Sequence, residues 1–245
     1  MSLMRTQGPV GVRVGTVVGR ARARRRGKQL GTLGIAAIAL ALLAPVTAEA
    51  QMETSMSANA GWVSQYYYRG IFQEKSSASA GLDLSAGPVS VGTWLADVGD
   101  CAELDLYGSV GFGGDDVSVS IGGTAYLYTG EFDDTYVEAN FGVGAGPVSY
   151  EFSIGQYENF TGPTLDYWFT GVTIEHEGFY GTFAGFGSDF SGNYGEAGYG
   201  FSAAELDFSI VGILSDAELS GLFDSAGLPT PGLTLVFGIG KTFEF

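Results

Sequence analysis

The last thirteen residues, 233–245 (LTLVFGIGKTFEF), constrain the fold most, because residue character alternates along them. Leu233, Leu235, Phe237, Ile239, Phe243 and Phe245 share one parity; Thr234, Val236, Gly238, Gly240, Thr242 and Glu244 share the other. Side chains of a strand alternate between faces, so one face is greasy and the other mostly small or polar. A closing strand that ends on a bare aromatic, behind a secretion signal, predicts a barrel in a bacterial outer membrane. The lipid bilayer is then its main partner, and the barrel-assembly machinery is expected to read the strand ending at Phe245.

The secretion signal is read from the other end. A basic run (Arg20, Arg22, Arg24, Arg25, Arg26, Lys28) precedes an apolar stretch over 30–43 and then Ala48-Glu49-Ala50. This layout predicts a signal peptide over residues 1–50, cut after Ala50, with the barrel in 51–245. The apolar stretch falls short of the roughly 20 residues that a spanning helix needs. The basic leader is long for a signal, which points to a translation start later than Met1.

Cleavage changes the electrostatics. Of 11 Lys and Arg in the 245-residue chain, eight lie in the leader, beside a single acid, Glu49. The mature part keeps Arg69, Lys75 and Lys241 against 26 carboxylates, a formal charge of −23. Phosphate backbones require clustered Lys or Arg, so nucleic acid is excluded as a partner. Small cations and neutral solutes fit instead. Cys101 stands alone and cannot form an intrachain disulfide.

From Thr54 onward the chain reads as twelve short alternating segments without a break in composition, hence as one domain. The spans are 54–68, 77–86, 89–96, 102–112, 117–128, 135–144, 148–157, 165–175, 179–187, 194–202, 206–214 and 233–245. Most are near the 9–11 residues of a tilted membrane strand. Segments 165–175 and 179–187 carry apolar residues on both parities, and their faces stay unassigned. Tight turns (87–88, 113–116, 144–147, 176–178, 203–205) alternate with mostly longer links (69–76, 96–101, 129–134, 158–164, 188–193, 215–232). Short turns on one rim and loops on the other are the asymmetry of outer-membrane barrels. The predicted fold is all-β, a transmembrane antiparallel up-and-down barrel of about 12 strands. Its 33 mature glycines suit a small curved wall.

The segment 62–71 (WVSQYYYRGI) resembles the opening signature of the TorF-type family of porin-like outer-membrane proteins. Trp94-Leu95-Ala96-Asp97, the run 102–107 (AELDLY), Tyr126-Leu127-Tyr128 with Gly130, and Tyr136-Val137-Glu138 are similar to later blocks of that family. The likeness covers about 61–141. Phe72-Gln73 stands where Ser-Gln is usual, and Thr129 where proline is usual. The resemblance implies a small barrel with a channel role, no agreed substrate and no catalytic residues.

If the apolar parity faces lipid, the opposite parity lines a lumen. The candidate pore-lining residues are then Asp83, Glu103, Asp105, Glu138, Glu151, Glu196 and Asp207, with Arg69 as the one cation. Grouped carboxylates attract cations and repel anions. Twelve strands give a backbone diameter on the order of 24 Å and, after inward side chains, a passage on the order of 10 Å. Tyr107, Tyr126, Tyr128, Tyr136, Tyr157 and Tyr194 are placed to narrow it, and 216–223 (DAELSGLF) suggests a helical turn at the mouth. Trp62, Tyr66, Tyr68, Phe132, Phe160, Trp168, Phe179, Phe243 and Phe245 suit interfacial girdles. Lys241, on the greasy parity, is placed to snorkel to headgroups.

No catalytic residue, cofactor or metal site is expected. His176 is the sole histidine, between Glu175 and Glu177 in a turn, and no spacing nominates a nucleophile for it. The reading is a passive, cation-preferring, porin-like channel. The alternatives are a filled structural or adhesive barrel with acidic loops, and an outer-membrane enzyme.

Overall fold

The computed structural model describes residues 54–114 and 116–245, so the expected signal peptide over 1–50 lies outside the described residues. The strands are β1 (Thr54–Tyr68), β2 (Ile71–Ala86), β3 (Val89–Asp97), β4 (Ala102–Gly113), β5 (Val117–Tyr128), β6 (Tyr136–Ala145) and β7 (Val148–Tyr157). They continue as β8 (Leu165–His176), β9 (Phe179–Ser188), β10 (Gly192–Ala203), β11 (Leu206–Ser215), β12 (Leu222–Phe223), β13 (Pro229–Thr230) and β14 (Gly232–Glu244). Twelve of them close into an antiparallel barrel in chain order; β12 and β13 form a separate small hairpin within the last loop. Closure joins β1 to β14 through the register Ser57↔Glu244 to Val63↔Gly238.

The period-two pattern sorts the wall into two surfaces. Leu104, Leu106 and Val110 of β4 pair with Leu127, Ala125 and Ile121 of β5, and Ile121 pairs onward with Phe141 of β6. Leu106, Ile121 and Phe141 are all exposed, as are Ile210, Leu235 and Phe237 on the other side of the barrel. The ionisable residues on this outer parity, Asp97, Asp166, His176 and Lys241, stand at or near strand ends. An apolar belt that bears no mid-strand charge, on a closed wall that leaves no edge, is a transmembrane exterior.

The two ambiguous segments resolve cleanly. Trp168, Val172 and Ile174 of β8 and Phe179 and Phe183 of β9 are exposed, whereas Tyr167, Phe169, Ala184 and Phe186 are buried inside. Val211 and Ile213 of β11 and Val236 of β14 are also buried inside. Both faces of this stretch of wall are apolar because something greasy packs against the inner one.

That something is the tip of the β1–β2 hairpin. The span 69–76 is not the long outer loop expected from sequence. Arg69 and Gly70, with φ of 50° and 81°, form a two-residue turn between Tyr68 and Ile71. Positive φ at both positions makes a tight hairpin whose twist matches its strands. β1 leaves β14 after Val63↔Gly238, and β2 leaves β3 beyond Ser79↔Ala96. The register of β1 against β2 shifts between Tyr66 and Tyr67. Freed from both neighbours and bent by this bulge, residues 64–78 fold inward. Ile71, Gln73 and Ser77 are buried with them.

The last loop contains a single turn, Ser220 N–H to Asp216 C=O at 2.9 Å. It packs on the loop-side end of β10, where Leu219 fills the space above Gly192.

Candidate functional site

The site is the lumen, and the infolded hairpin divides it. Arg69 reaches the far wall. Its Nη1 donates to Glu138 Oε1 at 2.5 Å, and its Nη2 donates to Glu138 Oε2 at 3.1 Å and to Ser153 Oγ at 3.4 Å. The guanidinium lies over the Phe169 ring, 4.0 Å from its centroid, and 4.8 Å from that of Tyr68. Glu138 also accepts from the Tyr167 hydroxyl at 2.8 Å and from Asn140 Nδ2 at 2.8 Å. Asn140 in turn donates to Ser153 at 3.0 Å. A planar cation, a bidentate carboxylate and an aromatic face form one hydrogen-bonded unit. It is closed to solvent: Glu138 is 1% exposed and Phe169 0%.

The rest of the tip is locked as firmly. The Gly70 carbonyl accepts from the Ser215 hydroxyl. A Cβ on Gly70 would lie 2.5 Å from Tyr194 Cβ, so only glycine fits there. Tyr67 bonds Thr234 at 2.7 Å, and Tyr66 donates to Glu103 at 3.0 Å. The hydroxyls of Tyr68 and Tyr126 bond each other. The tip therefore touches β4, β5, β6, β7, β8, β10, β11 and β14. At this level the expected passage of about 10 Å is not present; the lumen is filled.

The pore-lining candidates fall into two tiers. Arg69, Glu103, Asp105 and Glu138 belong to the buried plug, with Glu103 and Asp105 both at 0% exposure near Tyr66. Asp83, Glu151, Glu196 and Asp207 lie nearer the tight-turn rim, where the wall is Ser, Gly and Thr. Asp83 accepts from Tyr107 at 2.7 Å, and Asp207 from Ser202 at 2.5 Å. Glu151 is exposed and Glu196 half-buried. Arg69 and Glu138, two of these eight, form an ion pair.

Sequence reasoning missed Tyr66, Ser153, Tyr167, Phe169 and Asn140 as parts of the site. Tyr66 and Tyr68, expected in a lipid girdle, lie inside. Phe132, expected there too, packs against Tyr128 at the mouth, with ring centroids 5.7 Å apart. Tyr66 and Tyr68 were missed because both faces of the infolded hairpin lie in the lumen, where parity counted along β1 no longer separates lipid from interior. Above the plug, Asp133 sits in the β5–β6 loop and accepts from Tyr157 at 2.8 Å and Tyr136 at 3.0 Å. Burial pushes its carboxyl up to about 6, against the lowering effect of those bonds.

At the opposite rim Lys241 donates to Glu205 at 2.8 Å. That bond and the ammonium charge hold Glu205 below the usual carboxylate range. His176 stands on an exposed turn, 3.9 Å from Glu177. Among the described residues no three His, Cys, Asp or Glu side chains converge as metal ligands.

The chain is similar in fold to a membrane protein solved in a study of in-meso crystallization, with a TM-score of 0.53, 7% identity, and 78% of this chain and 84% of that one covered. Looser likenesses are the NanC porin (TM-score 0.45, 9% identity, 75% and 98% covered) and OpdK from Pseudomonas aeruginosa (0.38, 11%, 70% and 58%). No protein-family model and no curated sequence matches the chain, so the TorF-type likeness stands on its own residues. Fold and exterior together define the class: a transmembrane, antiparallel, twelve-stranded β-barrel.

Proposed function

We propose that this protein is a porin-like channel of a Gram-negative outer membrane that passes small cations and neutral solutes, of the TorF type that residues 61–141 resemble. The barrel delivers solute to a vestibule open at the tight-turn rim, and the β1–β2 hairpin tip governs passage beyond it. The observation that carries this reading is the contrast between the two surfaces. Every one of the seven carboxylate candidates faces inward, while the exterior is apolar between its ends. With Arg69 neutralised by Glu138, the remaining inward charge is negative, and a low-dielectric wall strengthens its pull on cations.

A filled structural barrel is the second reading, and the buried plug is the observation that favours it. The channel reading is the better supported, because a wall meant only to be filled has no use for an exposed carboxylate such as Glu151 on its inward parity. Planar-bilayer recording under a salt gradient separates the two. A channel gives discrete steps with a reversal potential on the cation side; silence at all voltages supports the filled barrel, and anion preference refutes the selectivity.

A further inference from the structure

The Arg69 side chain is held as a ligand is held. Its guanidinium has a bidentate carboxylate at its edge, Glu138, and an aromatic face beneath it, Phe169. A hydroxyl, Ser153, lies beside it. The carboxylate is itself oriented by Tyr167 and Asn140. Every group of this receptor belongs to β6, β7 or β8, whereas the guanidinium arrives from the far side of the barrel on the β1–β2 tip. Arg69 is carried on a two-residue turn whose strands have parted from β14 and β3. Cation and receptor are thus joined only by side-chain contacts across the lumen.

We propose that Glu138, Phe169, Ser153, Asn140 and Tyr167 form a binding station for guanidinium-bearing solutes, which Arg69 occupies from within the same chain. This rests on the channel reading and gives it a substrate class: solutes ending in a planar guanidinium, of the size of an alkylguanidine. Such a solute competes with Arg69 for the station, and binding it frees the Arg69 side chain from Glu138. A spherical ammonium cannot match the two parallel N–H···O bonds to Glu138.

The test is calorimetric titration of methylguanidinium into the protein purified in detergent micelles. Arg69→Ala vacates the station, and is expected to bind the probe about tenfold or more tightly than the wild type, whose tethered arginine competes at high effective concentration. Adding Glu138→Gln should abolish the gain. Equal titration of Arg69→Ala and wild type overturns the proposal, as does equal binding of tetramethylammonium. If Arg69→Ala does not fold by itself, methylguanidinium added during refolding from urea should restore the yield where sodium at equal ionic strength does not; no such rescue overturns the proposal too. The readout needs no conductance. A silent bilayer beside a positive titration removes the channel and keeps the station, and a conducting bilayer beside a flat titration does the reverse.

Discussion

At the residue scale the buried charges decide most. Glu138 serves Arg69, Tyr167 and Asn140 at once. Glu138→Ala leaves a guanidinium in the plug without its counter-charge, and is expected to cost about 3–5 kcal/mol. Urea unfolding in micelles measures it. The double change with Arg69→Ala should cost less than the two single changes summed, because it removes the orphaned charge as well. Asp133 makes a separate prediction. Its carboxyl ionises near 3.8 ordinarily and at about 6 in the fold. The folded state therefore holds the proton more tightly than the unfolded one. That contribution to stability is complete below the lower value and is lost as pH rises through the upper. Unfolding midpoints of wild type should fall across this window relative to Asp133→Asn, which stays neutral throughout. A difference that is flat with pH contradicts the assignment.

At the element scale, alternation was enough to find all twelve wall strands, most to within a residue or two at either end. β5 and β7, for example, span 117–128 and 148–157 as expected. The parity rule put all seven carboxylate candidates on one face of the wall, the face on which Glu103, Asp105 and Glu138 are buried. It failed where local twist and tertiary packing override parity. The Arg69-Gly70 turn looked like the start of a loop because Gln73, Glu74, Lys75 and Ser76 follow it, and no period marks a strand that leaves the wall. β8 and β9 were unreadable for a related cause: Phe169 lies under the Arg69 guanidinium, and Tyr167 and Phe186 pack inside with Phe190 of the β9–β10 loop. The contrast between neighbours on one strand can be measured. Ile121→Arg puts a cation on the exterior near mid-strand of β5, at a cost of about 2–4 kcal/mol. Ser120→Arg, one residue away and facing the lumen, should cost far less. Unfolding of both variants in lipid bilayers checks this, and equal costs would place the belt elsewhere than in acyl chains.

At the scale of the whole molecule, the barrel has two unlike halves. Toward the tight turns the inward face carries Asp83, Glu151, Glu196 and Asp207; toward the loops lies a plug of tyrosines joined by hydrogen bonds to Glu103, Asp133 and Glu138. The formal charge of −23 on residues 51–245 acts on solutes only as far as the plug allows. Conduction by the proposed channel requires the hairpin tip to move, and its attachments are side-chain contacts rather than strand pairing with the wall. The most direct measurement compares single-channel conductance of the wild type with that of a variant in which residues 66–75 are replaced by a short Asn-Gly turn. Removing the tip should raise conductance several-fold, with cation selectivity kept by the wall carboxylates. Unchanged steps in the shortened barrel would contradict the hairpin as the element that closes the lumen.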